Sequence, residues 1–365
     1  MEMRDLFPGY YRPTEDEFKI IWEDCMFIFD ANALLNVYRY TPETRNTFLA
    51  ILRQLSSRIW IPHQAAYEFH KNRLEVIRAQ RDAYDSLKTF LKDMEKKIID
   101  ELQKKYRLHV LLPTDEIIEK VKRNIHRITK DIDKASASHP DLEESDGLRD
   151  EIDKIVDGNI GGKFTPKQME EITKQGKVRY ENDVPPGYKD KGKSNNDEFG
   201  DLILWKQIIE KAKSDKKPVL FITDDRKEDW WFLFKGKHLG PRPELVNEIM
   251  EEAAAHFYMY RPYEFLKYAQ QHLNRSDKKE VLDEVRDVSE TKGATGSLRA
   301  TLPMLEISAH GEVSPPASDL EKQSSRARTL LDVLSDPVFR EDIVNRLQKF
   351  RDVMEQFCNS VRKDK

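Results

Sequence analysis

Cysteine is nearly absent from this chain: two residues in 365, Cys25 and Cys358, at opposite ends. That excludes a disulfide framework and a cysteine zinc site, and it fits a reducing compartment. No apolar run approaches the roughly 20 residues that span a bilayer. The opening MEMRDLFPGYYRPTEDE is acidic, broken by proline and without the apolar stretch of a secretion signal. The expectation is a soluble, cytoplasmic protein with no membrane partner. Basic excess is missing too, since the net charge is −4. Any grip on nucleic acid must therefore be local. Apolar residues are scarce at 38% and charged ones abundant at 35%, which predicts a real core with long solvated helices or tails. No internal repeat is visible.

What is present is an alternation of short apolar runs and helical patterns. Thr14 and Glu17 form a capping-box pair at the head of a short helix. Residues 25–30, CMFIFD, read as a buried strand ending in an acid. Thr41 and Pro42 open a helix, and residues 58–62, RIWIP, read as a second strand. A long helical pattern covers residues 63–106, with Leu74, Ile77, Tyr84, Leu87, Leu91, Met94, Ile98 and Leu102 on a narrow coiled-coil-like stripe. A second, near 114–135, completes an antiparallel helical arm. Thr165 and Gln168 form another capping box, opening a short helix. Residues 174–196 are polar and aperiodic and read as a long functional loop. Then follow an apolar helix from Asp201, a strand at residues 218–225 (PVLFITDD), a helix from Pro243, an edge strand FYMY and a closing helix. The predicted fold class is α/β with a mostly parallel central sheet.

Ligands of such sheets bind at the carboxyl ends of the strands. Two strands here end in acids at that edge, at Asp30 and at Asp224–Asp225. Either alone reads equally well as the cap of the next segment. Glu68 lies on the helix after the second strand, and Asp201 heads an apolar helix. Asp197 stands one turn earlier, where it shares that face if the helix begins there. The plain reading of Asp197 or Asp201 is again an N-cap.

In this order the segments resemble the PIN-like nucleases that have a long helical insertion. The matching stretches are Phe29-Asp30-Ala31-Asn32-Ala33-Leu34-Leu35, then Glu68, then Gly200-Asp201-Leu202-Ile203-Leu204, then Thr223-Asp224-Asp225. PRPELVNEIM and FYMYRPYEFL are similar to the same subgroup. Each motif alone is weak; all four in order are fairly specific. The resemblance implies a three-layer PIN-like fold over residues 1–272, in which residues 70–190 form a helical insertion and basic loop. Residues 273–316 are expected to be a flexible linker and 317–365 a helical tail.

The resemblance also implies metal-dependent phosphodiester hydrolysis giving 5′-phosphate and 3′-hydroxyl ends. Asp30, Glu68, Asp201 and Asp225 are the implied catalytic acids, and these four with Asp197 and Asp224 are the candidate metal ligands. Which of Asp224 and Asp225 binds is left open. Asn32 and Thr223 are supporting partners. Four packed carboxylates repel one another, and a hard divalent cation such as Mg²⁺ or Mn²⁺ relieves that repulsion.

The resemblance makes single-stranded RNA the favoured partner and substrate, and it implies a toxin or defence setting. The alternatives are a structure-specific DNA nuclease and a non-catalytic helical scaffold. Lys177, Arg179, Lys189, Lys191, Lys193, Arg226 and Arg242 are the candidate nucleic-acid contacts, with Lys174 and Lys227 in the same local positive charge and Tyr180 and Tyr188 as stacking platforms. Lysine-rich loops are as often merely solvated. His63 and His70 flank Glu68 but read as structural, and Trp230 and Trp231 read as core. The arm or the tail is a candidate surface for a homodimer or a protein partner.

Overall fold

The computed structural model describes residues 2–193, 197–275 and 278–301, and only the backbone of 5, 197 and 291–301. In chain order the elements are α1 (Met3–Leu6), α2 (Glu15–Asp24), β1 (Met26–Phe29), α3 (Ala31–Leu35), α4 (Pro42–Gln54), β2 (Ile59–Trp60), α5 (His63–Glu101), α6 (Thr114–Ala137), α7 (Gly147–Ile155), α8 (Pro166–Glu181), α9 (Gly200–Asp215), β3 (Val219–Ile222), β4 (Trp231–Phe234), β5 (Lys237–Pro241), α10 (Pro243–Ala253), β6 (Phe257–Tyr260), α11 (Pro262–His272) and α12 (Lys279–Thr301). No described helix is long and apolar enough to cross a membrane.

The sheet runs β2-β1-β3-β6, every pair parallel. Its strands are short and almost continuously apolar because helices cover both faces. All four residues of β1 and of β3 are buried. The register pairs Phe29 with Ile222, so both strands finish at the same edge. The expected edge strand, FYMY, is β6. Beside β2, the Asn159 carbonyl accepts from the Ile61 N–H, and Ile61 pairs in parallel with Ile160, so the insertion returns to cover that edge. A small antiparallel hairpin, β4-β5, follows the acidic end of β3. Trp230 and Trp231 are core, as expected.

Both capping boxes form, at Thr14/Glu17 and at Thr165/Gln168. The antiparallel arm forms as α5 and α6, tied by Lys88–Asp133 at 3.2 Å and Tyr84–His139 at 3.1 Å. Its seam differs from the expected stripe. Leu74, Leu87, Met94 and Ile98 are exposed, whereas Tyr84, Lys88, Leu91, Glu95 and Leu102 are partly covered. A single partner helix covers only a narrow line, and the long stems of Lys and Glu take part of it.

Two expectations need correction. The loop predicted from residue 174 begins eight residues later, because α8 runs on to Glu181 with Ile172, Gly176 and Tyr180 on its buried face. The predicted linker from residue 273 includes helix α12, which docks through Val281, Leu282 and Val285. Glu284 there accepts from the Thr41 N–H at 2.5 Å and from the hydroxyls of Thr41 and Thr44 at the head of α4. The rest of the expected linker, from residue 302, and the expected tail at 317–365 lie outside the described residues.

Candidate active site

The acids of four chain segments meet at the carboxyl edge of β1 and β3. Asp30 is the first residue after β1 and the N-cap of α3. Its Oδ1 accepts from the Ala31 N–H at 2.7 Å. Its Oδ2 accepts from the Asn32 carboxamide at 2.6 Å and the Thr223 hydroxyl at 2.8 Å. The cap role and the site role therefore coexist. Asn32 and Thr223 both lie against Asp30.

Asp201 lies in the first turn of α9, one residue inside it, so it is not the cap. Glu68 lies in the second turn of α5, its Oε1 accepting from the Gln64 carboxamide at 2.7 Å. That oxygen approaches the head of α9 closely: a Cβ on Gly200 would lie 2.9 Å from it. Asp225 follows β3, its N–H donating to the Thr223 hydroxyl at 3.0 Å and its Oδ1 accepting from the Lys227 N–H at 2.8 Å.

Electrostatics show that these acids share one environment. Burial pushes the Asp30 carboxyl up to about 8, and the charges of Glu68, Asp201 and Asp225 push the same way against the Thr223 hydrogen bond. Burial likewise raises Asp201 to about 7; Lys227 opposes it, while Asp225, Asp190 and Glu68 add to it.

Asp224 is directed elsewhere. Its Oδ2 accepts from the Asn36 carboxamide at 3.0 Å, and its charge acts on Arg39, Tyr40 and Arg226. Of the two neighbours, one bears with its charge on both Asp30 and Asp201. That residue is Asp225. Asp197 is in the single 3-10 turn before α9, and its side chain is outside the described set.

Asp190 was not foreseen in the cluster, and Lys227 was expected only as local positive charge for the substrate. Asp190 is buried and faces Asp201 from the 3-10 turn Tyr188–Asp190. Lys227 extends its ammonium into the acids, 3.0 Å from Asp190, 3.3 Å from Asp201 and 3.0 Å from Asp225. Burial alone lowers the pKa of this ammonium, but Asp201, Asp225 and Asp190 outweigh it and hold it above the usual lysine range. Asp190 was hidden among lysines in YKDKGK, and Lys227 follows the last acids with no distinguishing spacing.

Among the described residues no three His, Cys, Asp or Glu side chains are close enough together to enclose an ion as they stand. The donor chemistry nonetheless suits a hard cation. The cluster is made of carboxylates, two of them carrying raised pKa values, and a positive charge already sits among them.

The expected nucleic-acid contacts divide. Lys177 and Lys191 are exposed and, among the described residues, pair with no acid. Lys189 pairs with Glu228, Lys193 with Asp190 at 2.8 Å, and Arg242 with Glu244 at 2.6 Å. Arg226 is half-buried beside Asp224 and Arg261. Arg179 is not presented to solvent: it binds Glu248 at 2.7 and 2.9 Å and the Pro185 carbonyl. Tyr180 is 2% exposed, stacked on Phe199, so it is core rather than a platform for bases. Tyr188 packs half-buried against the core.

No curated protein and no solved structure matches the chain. A family model described as a PIN-like domain matches residues 26–245, more than half of the sequence and the whole span from β1 through β3 to the start of α10. With a parallel sheet whose strand ends gather acids from four segments in the expected order, the chain belongs to the PIN-like domain family.

Proposed function

We propose that this protein is a metal-dependent endonuclease acting on single-stranded RNA. PIN-like domains are generally nucleases. The observation that supports the reading most is the mutual electrostatic contact of Asp30, Glu68, Asp201 and Asp225, brought from four segments to one strand edge. Burying like charges together is costly for folding and is a mark of sites built for chemistry.

Asp30, Asp201 and Asp225 would hold Mg²⁺ or Mn²⁺, and Glu68 would hold it or orient the attacking water. The metal supplies Lewis acidity, activating water and neutralising charge that develops on the scissile phosphate. Asn32 and Thr223 fix the direction of the Asp30 carboxylate, as outer partners of metal ligands do. The exposed Lys177 and Lys191 are the remaining basic contacts for a phosphate backbone. As the family resemblance implies, hydrolysis would leave a 5′-phosphate and a 3′-hydroxyl.

The test is cleavage of labelled single-stranded RNA and DNA of one sequence in Mn²⁺, Mg²⁺ and EDTA. Wild type is compared with Asp30→Asn and Asp201→Asn. Metal-dependent cutting of RNA, lost in both variants, is the expected result. No cutting of either strand together with no metal-induced stabilisation would sink the catalytic reading and favour a scaffold.

A further inference from the structure

Lys227 is a cation placed where a metal-binding cluster has most need of one. Its ammonium touches Asp190, Asp201 and Asp225 together, at 3.0, 3.3 and 3.0 Å. Two of these three acids, Asp201 and Asp225, are the same ones that the nuclease reading gives to the metal. A lysine and a divalent ion would compete for the same oxygens.

The main chain of Lys227 is held independently of its side chain. Its N–H is bound by the Asp225 carboxylate at 2.8 Å, and its carbonyl accepts from the N–H groups of Trp230 and Trp231 at 3.2 Å each. Four side-chain torsions separate that anchor from the ammonium, and the side chain as a whole is a third exposed. The charge can therefore leave without disturbing the backbone that positions Asp225. Asp190 gives it a partner to keep: this acid is buried, belongs to none of the four motif segments, and bonds to the ammonium at 3.0 Å. One ammonium also cannot neutralise the cluster, since Glu68 acts on both Asp30 and Asp201 as a further negative charge. A divalent ion brings twice the charge to the same place.

Resting on the metal-dependent reading, we propose that Lys227 is the resident counter-cation of the carboxylate cluster, which a divalent metal displaces from Asp201 and Asp225 while Asp190 retains the ammonium. The lysine stabilises the metal-free fold and at the same time weakens metal binding. It is a positioning residue: it holds the acids together until the metal arrives.

The experiment is a Mn²⁺ titration of the full chain by calorimetry, paired with melting in EDTA and in saturating Mn²⁺. Lys227→Gln is expected to melt lower than wild type in EDTA, to bind Mn²⁺ roughly tenfold more tightly and to show a larger Mn²⁺-induced rise in Tm. Lys227→Arg, which keeps the charge, is expected to bind Mn²⁺ no more tightly than wild type. A merely structural lysine would lower Tm without enlarging the Mn²⁺ response. Unchanged or weaker Mn²⁺ binding by Lys227→Gln would overturn the proposal while leaving the nuclease reading intact. If neither wild type nor Lys227→Gln binds Mn²⁺, the metal reading itself fails. Should Lys227→Gln not fold, Lys227→Met is the uncharged variant of similar length, and the same outcomes apply.

Discussion

Asn32 accepts the backbone N–H of Asp224 on its side-chain oxygen at 2.7 Å. With the other end of the same carboxamide it donates to Asp30 at 2.6 Å. One side chain thus laces the end of β1 to the end of β3 at the point where the acids gather. Asn32→Ala removes both bonds and leaves the Asp224 amide without its partner. The expected cost is about 1–3 kcal/mol of stability. A small shift in ligand position is expensive for catalysis, so activity should fall on the order of 100-fold. Chemical denaturation and single-turnover cleavage check the two effects separately. A stable Asn32→Ala enzyme with undiminished cleavage would show that the lacing does not matter.

The part of the site that was legible in the sequence rests on short-range signals. Phe29-Asp30-Ala31-Asn32 and Ile222-Thr223-Asp224-Asp225 each join an apolar strand to polar residues within a few positions, and a parallel sheet puts both ends at one edge. What was not legible depends on side-chain direction or on distant partners. The Thr-x-Asp pattern points to Asp225 but does not exclude its neighbour Asp224; the choice follows from Asn36, which takes the latter. Arg179 looks like a loop cation until Glu248, 69 residues away, claims it. Helix α12 had usable spacing in Val281, Leu282, Val285 and Val288, but the polar and glycine-containing run of its second half obscured the pattern.

Acid titration of the cluster gives a pH dependence of stability with a definite sign. Asp30 is pushed up to about 8 and Asp201 to about 7, against an unfolded value near 4. Between about 4 and 8 the folded state therefore binds more protons than the unfolded one, and stability falls as pH rises through that window. In EDTA the Tm is expected to drop from pH 5 to pH 8, and Asp30→Asn should flatten that decline. Adding Mn²⁺ at pH 8 should restore wild type and leave Asp30→Asn nearly unmoved. Equal slopes for both proteins in EDTA would contradict this account.

Arg179 and Lys177 stand two residues apart on α8 and should behave oppositely. Arg179 and Glu248 are mostly covered, and Glu248 also accepts from Lys206 at 2.8 Å and from the Trp205 indole at 2.8 Å. These bonds outweigh its burial and hold the Glu248 carboxyl below the usual range. Arg179→Ala leaves a buried carboxylate with fewer donors, at a cost of about 2–3 kcal/mol, the lower side of a broken buried pair because Lys206 remains. RNA affinity of the folded variant should be unchanged. Lys177→Ala and Lys191→Ala should do the reverse, keeping Tm while weakening RNA binding and reducing its salt slope by about one per lysine in direct phosphate contact. Fluorescence anisotropy over a salt series distinguishes them.

Gly187 tests how tightly the Asp201 side of the site is built. Its φ of 92° lies where L side chains are disfavoured, and its N–H donates to the buried Asp229 at 3.1 Å. A Cβ there would sit 2.2 Å from the Tyr180 hydroxyl and 3.1 Å from the Asp201 Cβ. Gly192 has a similar φ of 86°, but nothing lies within 4 Å of its would-be Cβ. Gly192→Ala therefore meets only backbone strain, about 1–2 kcal/mol, and should keep wild-type cleavage. Gly187→Ala meets the same strain and must also move Tyr180, which is locked against Phe199, or Asp201. The loss should then appear in kcat more than in KM, because the displaced group belongs to the acids rather than to the RNA contacts. Equal kcat in the two alanine variants would mean that Asp201 has slack, and that its position owes little to the turn packed against it.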